Sequence, residues 1–420
     1  MSTAPVASQL AQVEPKRRDG EGPRAPGARA AMVQLCAAGF VAYCSYSICR
    51  TPLLPLFARE LGAGPALIGF VMGASTLTGI VVKMPAGALS DVFGRRRLLL
   101  VGAVVFAAMP FTYLVVSTLA VLVALRSVHG SATAIFGPVA SATLSDMAPA
   151  TKRGAWLSTY STAQGAGQAL GPILAGYLIA AGRFDFAFVA AGVIGLAVPI
   201  VVARWRGTQQ MRTHHEPWRE FKRGIAEVGR DRLVLITSGA QAAQFVLNGS
   251  LNAFLPLYAR EVFGLTATEL GWLFGIQTLT TLSVRPGIGY LSDRVGRRWV
   301  IVTGLVVCSV AVLSISIATN MAQVVIAVLA YAGGLATTTA ATSAYITDMT
   351  RRARYGAAHG VFGTIYDVGD ALGPIVAGTV VAAVGYTRMF QIMAAVAVSM
   401  AGAFAMASKV GVARPVPPPM

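Results

Sequence analysis

Apolar residues fill this chain in long uninterrupted runs, with polar residues confined to short stretches between them. Runs of membrane-crossing length stand near 30–50, 66–89, 98–117, 119–144, 155–181, 184–203, 233–258, 267–291, 299–318, 321–346, 356–384 and 387–408. A helix spanning the hydrocarbon of a bilayer needs about 20 predominantly apolar residues. The runs are too long, and alternate too weakly, for barrel strands of about 10 residues. The pattern predicts an all-α membrane protein with twelve transmembrane helices.

The polar stretches divide the chain. Residues 1–29, rich in Ala, Pro, Gly and Arg, hold no apolar segment followed by a small-residue cleavage site, so a disordered cytoplasmic tail is expected rather than a signal peptide. Residues 30–203 and 233–408 are each expected to form a six-helix bundle, joined by a polar central loop at 204–232, with a second cytoplasmic tail at 409–420. The loop carries eight basic and four acidic residues, and Glu216 to Val228 within it is expected to lie as an amphipathic helix on the anionic inner leaflet.

Composition sharpens this picture. The chain has 420 residues, 55% hydrophobic and only 12% charged, with a formal charge of +17. A soluble domain runs nearer a quarter charged, so there is too little polar surface here to coat a water-soluble globule. The basic residues sit in short clusters between apolar runs and not along one amphipathic face, which argues against nucleic acid as a partner. Their distribution sets orientation instead. With both termini inside, 26 of the 34 Lys and Arg fall on inner segments and four on outer loops. Both termini are therefore expected to be cytoplasmic.

The two halves repeat one another at an offset of 201–202 residues. Leu-Pro-Leu-Phe-Ala-Arg-Glu at 54–60 matches Leu-Pro-Leu-Tyr-Ala-Arg-Glu at 255–261, and Ala-Leu-Gly-Pro-Ile-Leu-Ala-Gly at 169–176 matches Ala-Leu-Gly-Pro-Ile-Val-Ala-Gly at 371–378. Six helices per repeat is an even number, so the halves share one orientation, an arrangement suited to rocking around a midplane site.

The segment Gly87-x-Leu89-Ser90-Asp91-x-x-Gly94-Arg95-Arg96, repeated from Gly289 through Asp293, Gly296, Arg297 and Arg298, resembles motif A of the major facilitator superfamily. Leu122-x-x-x-Arg126-x-x-His129-Gly130 resembles its motif B, with His129 where Gln is usual, and Gly167-x-x-x-Gly171-Pro172-x-x-x-Gly176 resembles its motif C. Motif C recurs as Gly369-x-x-x-Gly373-Pro374-x-x-x-Gly378, which lessens its value as a mark of transport direction. The resemblance covers about residues 30–408 and implies a secondary transporter similar to the twelve-helix, proton-coupled drug and metabolite efflux branch. It also implies a part for Arg126 in proton coupling.

Chemistry is expected where ionisable groups lie within the bilayer, because each costs roughly 2.5–3.5 kcal/mol at the centre on insertion scales. Of 17 acidic residues only Asp367 and Asp370 lie deep in a run, at i, i+3 on one helix face. Their repeat partners, Gly165 and Gln168, are neutral. These two carboxylates are the expected proton or substrate sites, the alternative being a packing role beside Tyr366. Arg126 lies in the outer third of its run, where it either tunes a carboxylate or snorkels to the interface. Lys83 and Arg285 lie near inner helix ends and are expected to snorkel. Asp91 and Asp293 with their arginines are expected to cap helices and to form ion pairs between halves that gate the cytoplasmic face. The Gly171-Pro172 and Gly373-Pro374 pairs are candidate hinges. Gln164, Gln168, Gln241, Gln244, Asn248, Asn252, Gln277 and Tyr366 are candidate cavity linings, with Tyr43, Tyr46 and Arg50 as weaker ones.

No GxxxxGK[ST] loop, nucleophile–base pair or metal-ligand cluster stands in the sequence, so neither an enzyme, a resident cofactor nor a metal site is expected. The expected partners are a small-molecule substrate, protons and the lipid bilayer, with the chain acting as a monomer in the bacterial inner membrane. Two buried acids against one deep arginine lean toward cationic or amphipathic substrates. An exporter exchanging protons for a small molecule is the leading expectation, ahead of an importing symporter or facilitator and of a non-transporting receptor or scaffold on the same fold.

Overall fold

The computed structural model describes residues 27–181, 184–205, 229–350 and 355–408. The regular structure among them is helical. The first half comprises α1 (Ala28–Ile48), α2 (Leu53–Glu60), α3 (Pro65–Phe93), α4 (Arg95–Thr112), α5 (Leu119–Met147), α6 (Arg153–Ala180) and α7 (Phe184–Arg204). The second comprises α8 (Arg232–Phe263), α9 (Ala267–Val295), α10 (Arg297–Ile317), α11 (Met321–Met349) and α12 (Tyr355–Ala407), the last broken at Gly385, where φ is 80°. The amphipathic segment expected at Glu216 to Val228 and the tail at 409–420 lie outside the described residues.

Local chemistry places the helix ends. Pro65 opens α3 at a position where its missing N–H costs nothing. Thr266 caps α9 and receives Glu269 in return, while Asp231 caps α8 and Asn320 caps α11. Gly94 and Gly296, the matched glycines of the repeated motif, stand at φ 88° and 95°, a region L side chains rarely adopt. That geometry lets α3 turn at once into α4, and α9 into α10.

Eight stretches among the described residues are long and apolar enough to cross a membrane. Outward-facing Val81, Val115, Ile317, Ile326 and Met406 are each at least two-thirds exposed, an apolar surface that suits lipid and would be costly in water. Helices α6, α8 and α9 have the length but fall outside the eight. They carry amides in their middle turns, and those amides face inward.

The halves meet along two seams, α3 against α12 and α6 against α9. The repeat makes the seams equivalent. A Cβ on Gly69 would lie 2.1 Å from the Pro374 carbonyl oxygen, and one on its repeat partner Gly271 would lie 2.5 Å from that of Pro172. Gly378 and Gly176 complete the two contacts, backbone on backbone. Both seams lie toward the end of the bundle opposite Gly94 and Gly296. Arg59 and Glu261, from the matched Ala-Arg-Glu segments, form an ion pair across that same end at 3.5 Å.

Candidate functional site: a charged cavity between the halves

A cavity of about 1130 Å³ lies between the halves, walled by α1, α3, α5 and α6 on one side and by α8, α9, α11 and the first arm of α12 on the other. Gln164 and Gln168 of α6, Asn248 and Asn252 of α8 and Gln277 of α9 line it. Gln241 lines it too while bonding Thr339 and Thr342 of α11. Gln244 departs from expectation. It is buried against Tyr331, to whose hydroxyl it donates at 3.3 Å, because it sits on the row of α8 that faces α11 within its own half.

Asp370 holds the centre. One carboxylate oxygen meets the Arg50 guanidinium at 3.1 Å and accepts from Thr76 at 3.3 Å, both from the first half. The other accepts from Asn248 of the second half at 3.2 Å. One turn away, Asp367 pairs with Lys83 of α3 at 2.8 Å. Tyr366 lines the same cavity, its ring 4.7 Å from that of Phe245 and 5.7 Å from the Lys83 ammonium. Both acids are thus tied to cations of the opposite half, more than 280 residues away in sequence.

Arg285 also lines the cavity and makes no ion pair among the described residues. The snorkelling expected of Lys83 and Arg285 does not occur, because the helix faces that carry them turn to the interior and not to lipid. Arg50, a weaker candidate by sequence, is the principal partner of Asp370. A signal for Lys83 was present: Thr76 and Lys83 are two turns apart on one face, and Thr278 and Arg285 repeat the arrangement. The cavity therefore holds three fixed cations and two carboxylates, reversing the acid excess expected from sequence.

Arg126 lies elsewhere. It is fully buried within the first half, donating to Ser75 at 2.9 Å and to the Tyr46 hydroxyl at 3.4 Å, with its guanidinium carbon 5.4 Å from the Tyr46 ring centre. It neither reaches the interface nor touches a carboxylate among the described residues. His129 packs edge-on to Tyr46 and shares a hydrogen bond with Tyr113 at 3.1 Å. Tyr46 faces both this cluster and the cavity, which makes it the structural link between Arg126 and the central site.

The motif arginines work in matched sets inside each half. Arg95 pairs with Asp146 at 2.7 Å, and Arg297 with Asp348 at 2.9 Å and with Asp293 at 2.5 Å. Arg96 donates to the Ala203 carbonyl and Arg298 to that of Ala405. The pairs seen fasten each motif to the end of its own bundle, while the gating pair expected of Asp91 rests on a side chain that lies outside the described residues. Gly87, Asp91 and Gly289 lie within α3 and α9. Helices α6 and α12 run on through Pro172 and Pro374, with Gly171 packed on α1 and Gly373 on α8.

Comparisons with known proteins agree with this architecture. The sequence profile of the Major Facilitator Superfamily matches residues 35–266 and again 237–419. An uncharacterized MFS-type transporter of Methanocaldococcus jannaschii is 23% identical over 354 residues, covering 82% of this chain and 89% of that protein. The multidrug resistance protein MdtG of Citrobacter koseri is 25% identical, covering 82% and 87%. Among solved structures, a bacterial homolog of the human lysosomal transporter Spinster, in an inward-facing and unoccupied conformation, superposes with a TM-score of 0.79 at 14% identity over 93% of this chain and 98% of that one.

Proposed function

The chain belongs to the major facilitator superfamily, and on that premise we propose that it is a proton-coupled antiporter that exports a small organic molecule by alternating access. In this reading twelve helices span the bacterial inner membrane, both termini are cytoplasmic, and one copy suffices. The cavity receives the transported molecule. The seams at Gly69 and Gly271 shut its outer end, and it opens toward the motif A loops on the cytoplasmic side.

One observation carries the proposal: Asp370 is a carboxylate inside the cavity, held at once by Arg50 and Thr76 of one half and Asn248 of the other. Protonation removes the charge that Arg50 and Asn248 recognise, so a proton arriving there loosens the tie between halves and a proton leaving restores it. Asp367 with Lys83 offers a second tie of the same kind. The likeness to MdtG supports export of drug-like compounds. Arg126 acts on the same cavity at one remove, through Tyr46.

Inverted membrane vesicles energised to an acidic interior test the reading. Adding compounds from an antibiotic panel should release protons, reported by quinacrine fluorescence, in vesicles carrying the parent chain but not Asp370→Asn. Proton release unchanged in the Asn variant would overturn the role of Asp370. Uptake that runs only in right-side-out vesicles would make the protein an importer.

A further inference from the structure

Lys83 and Arg285 are repeat partners, yet they do not meet equivalent surroundings. Lys83 faces Asp367 across the cavity. The repeat partner of Asp367 is Gly165, so the place where pseudo-symmetry would set a carboxylate for Arg285 has none. A Cβ built on Gly165 would lie 3.0 Å from the tip of Leu282, one turn before Arg285 on the same face of α9. Gly165, Leu282 and Arg285 all line the cavity. Pseudo-symmetry thus leaves one corner with a cation and the movable tip of Leu282 where its twin has a salt bridge.

We infer that the Arg285–Gly165 corner is an anion subsite, and that the transported molecules are aromatic or apolar compounds carrying a single carboxylate, sulfonate or phosphonate. The inference rests on the cavity being the transported molecule's site, as proposed above, and replaces the cationic preference that the sequence suggested. A guanidinium that faces the cavity with no ion pair among the described residues favours an incoming oxyanion through charge-assisted, two-point hydrogen bonds. The two acids do not compete for that role, because Arg50 and Lys83 already occupy them. The paired rings of Phe245 and Tyr366 offer a flat apolar wall for the rest of the molecule. A cationic compound, by contrast, meets three fixed positive charges.

The test is binding of three naphthalene probes of one shape to the purified full-length protein: 1-naphthaleneacetate, its neutral amide, and 2-(1-naphthyl)ethylammonium, followed by calorimetry and thermal shift. The acetate should bind at least about tenfold more tightly than the ammonium, the value of one charge-assisted pair. Arg285→Gln should weaken the acetate by about that factor and leave the amide unchanged, while Arg285→Lys, which keeps the charge but not the two-point fork, should fall between the two. Gly165→Asp supplies the carboxylate that symmetry omits, displacing only the movable end of Leu282, and should weaken the acetate equally even if the Gln variant fails to fold. Equal binding of acetate and ammonium, or acetate binding untouched in both Arg285→Gln and Gly165→Asp, would overturn the inference. Binding needs no gradient. Selective acetate binding without proton movement would remove the antiport reading and keep the subsite, whereas proton release by cationic compounds alone would do the reverse.

Discussion

Gly69 of α3 packs so closely on Pro374 of α12 that no side chain fits between them, and Gly271 and Pro172 repeat the contact in the opposite sense. Each proline lacks the N–H that would bond the carbonyl four residues before it: that of Gln168 accepts from Ser47 at 3.1 Å, and that of Asp370 is met by Gly249. The repeated Gly-Pro pairs therefore serve the seam as well as any bending of their own helices.

Filling either seam should shift the conformational balance. Gly69→Ala and Gly271→Ala overpack the closed end, at a cost of about 1–3 kcal/mol each, which corresponds to roughly five- to 160-fold in the ratio of states. With the four native cysteines replaced, a cysteine at Thr51, whose hydroxyl donates to the Asn252 carbonyl across the halves, should react faster with a membrane-impermeant maleimide in these variants than in an otherwise identical parent. Equal rates would show that the seam does not hold that end shut.

Breaking one member of a cavity ion pair should cost more than removing both. Asp367→Asn leaves the Lys83 ammonium without its carboxylate, whereas Lys83→Gln with Asp367→Asn leaves two neutral groups able to bond each other. A double-mutant cycle on Tm should give a coupling of about 1–3 kcal/mol, the double variant melting above the Asp367→Asn single. The Arg50–Asp370 pair, the more buried of the two, should show the larger coupling.

Arg126 should separate stability from function. Its Nε and Nη1 atoms are buried with no hydrogen-bond partner among the described residues, so the cation is a burden on the folded state. Arg126→Met keeps the bulk and leaves Tyr46 and Ser75 bonded to each other. Its Tm should be no lower than the parent's, while proton-coupled transport should fall at least tenfold, the order of loss set by about 1.4 kcal/mol. A variant that melts lower yet transports normally would make Arg126 a packing residue.

The motif A arginines should prove individually tolerant. Arg297 has two carboxylates, Asp293 and Asp348, both more than half exposed. Asp348→Asn should lower stability by less than about 1 kcal/mol, as for other solvent-exposed pairs. Its effect, read as a difference in Tm, should be smaller than that of Asp293→Asn combined with Asp348→Asn.

Helix position was legible because it depends on chain-local quantities. The run expected over 119–144 is α5, Leu119–Met147, and that over 184–203 is α7, Phe184–Arg204. Apolar length at about 1.5 Å rise per residue decides both. Helix α2, eight residues at Leu53–Glu60, was missed because it is too short to leave a periodic signal. The site was legible only in part. Asp367 and Asp370 stood out because buried acids are rare, but their cations did not, since Arg50 and Lys83 reach them from the other half of the chain. Distance from a helix end is a one-dimensional measure; which way a helix face turns depends on neighbours that the linear pattern does not name. Gln244 illustrates the point. It shares the three-and-four spacing of Gln241, Asn248 and Asn252, yet one step around the helix carries it from the cavity to Tyr331.

The amides that line the cavity also shape how the protein is made. Helices α6, α8 and α9 each bring polar side chains to the middle of the bilayer, and α8 alone brings four. Emerging singly from the insertion machinery, such a segment partitions into lipid less readily than α4 or α7, whose mean hydropathies reach 2.3 and 2.6. Helix α8 gains a stable place only once α11 and α12 arrive to take up its hydrogen bonds. The feature that gives the finished protein a polar cavity thus makes insertion of its second half a collective event, in which late helices retain early ones in the membrane.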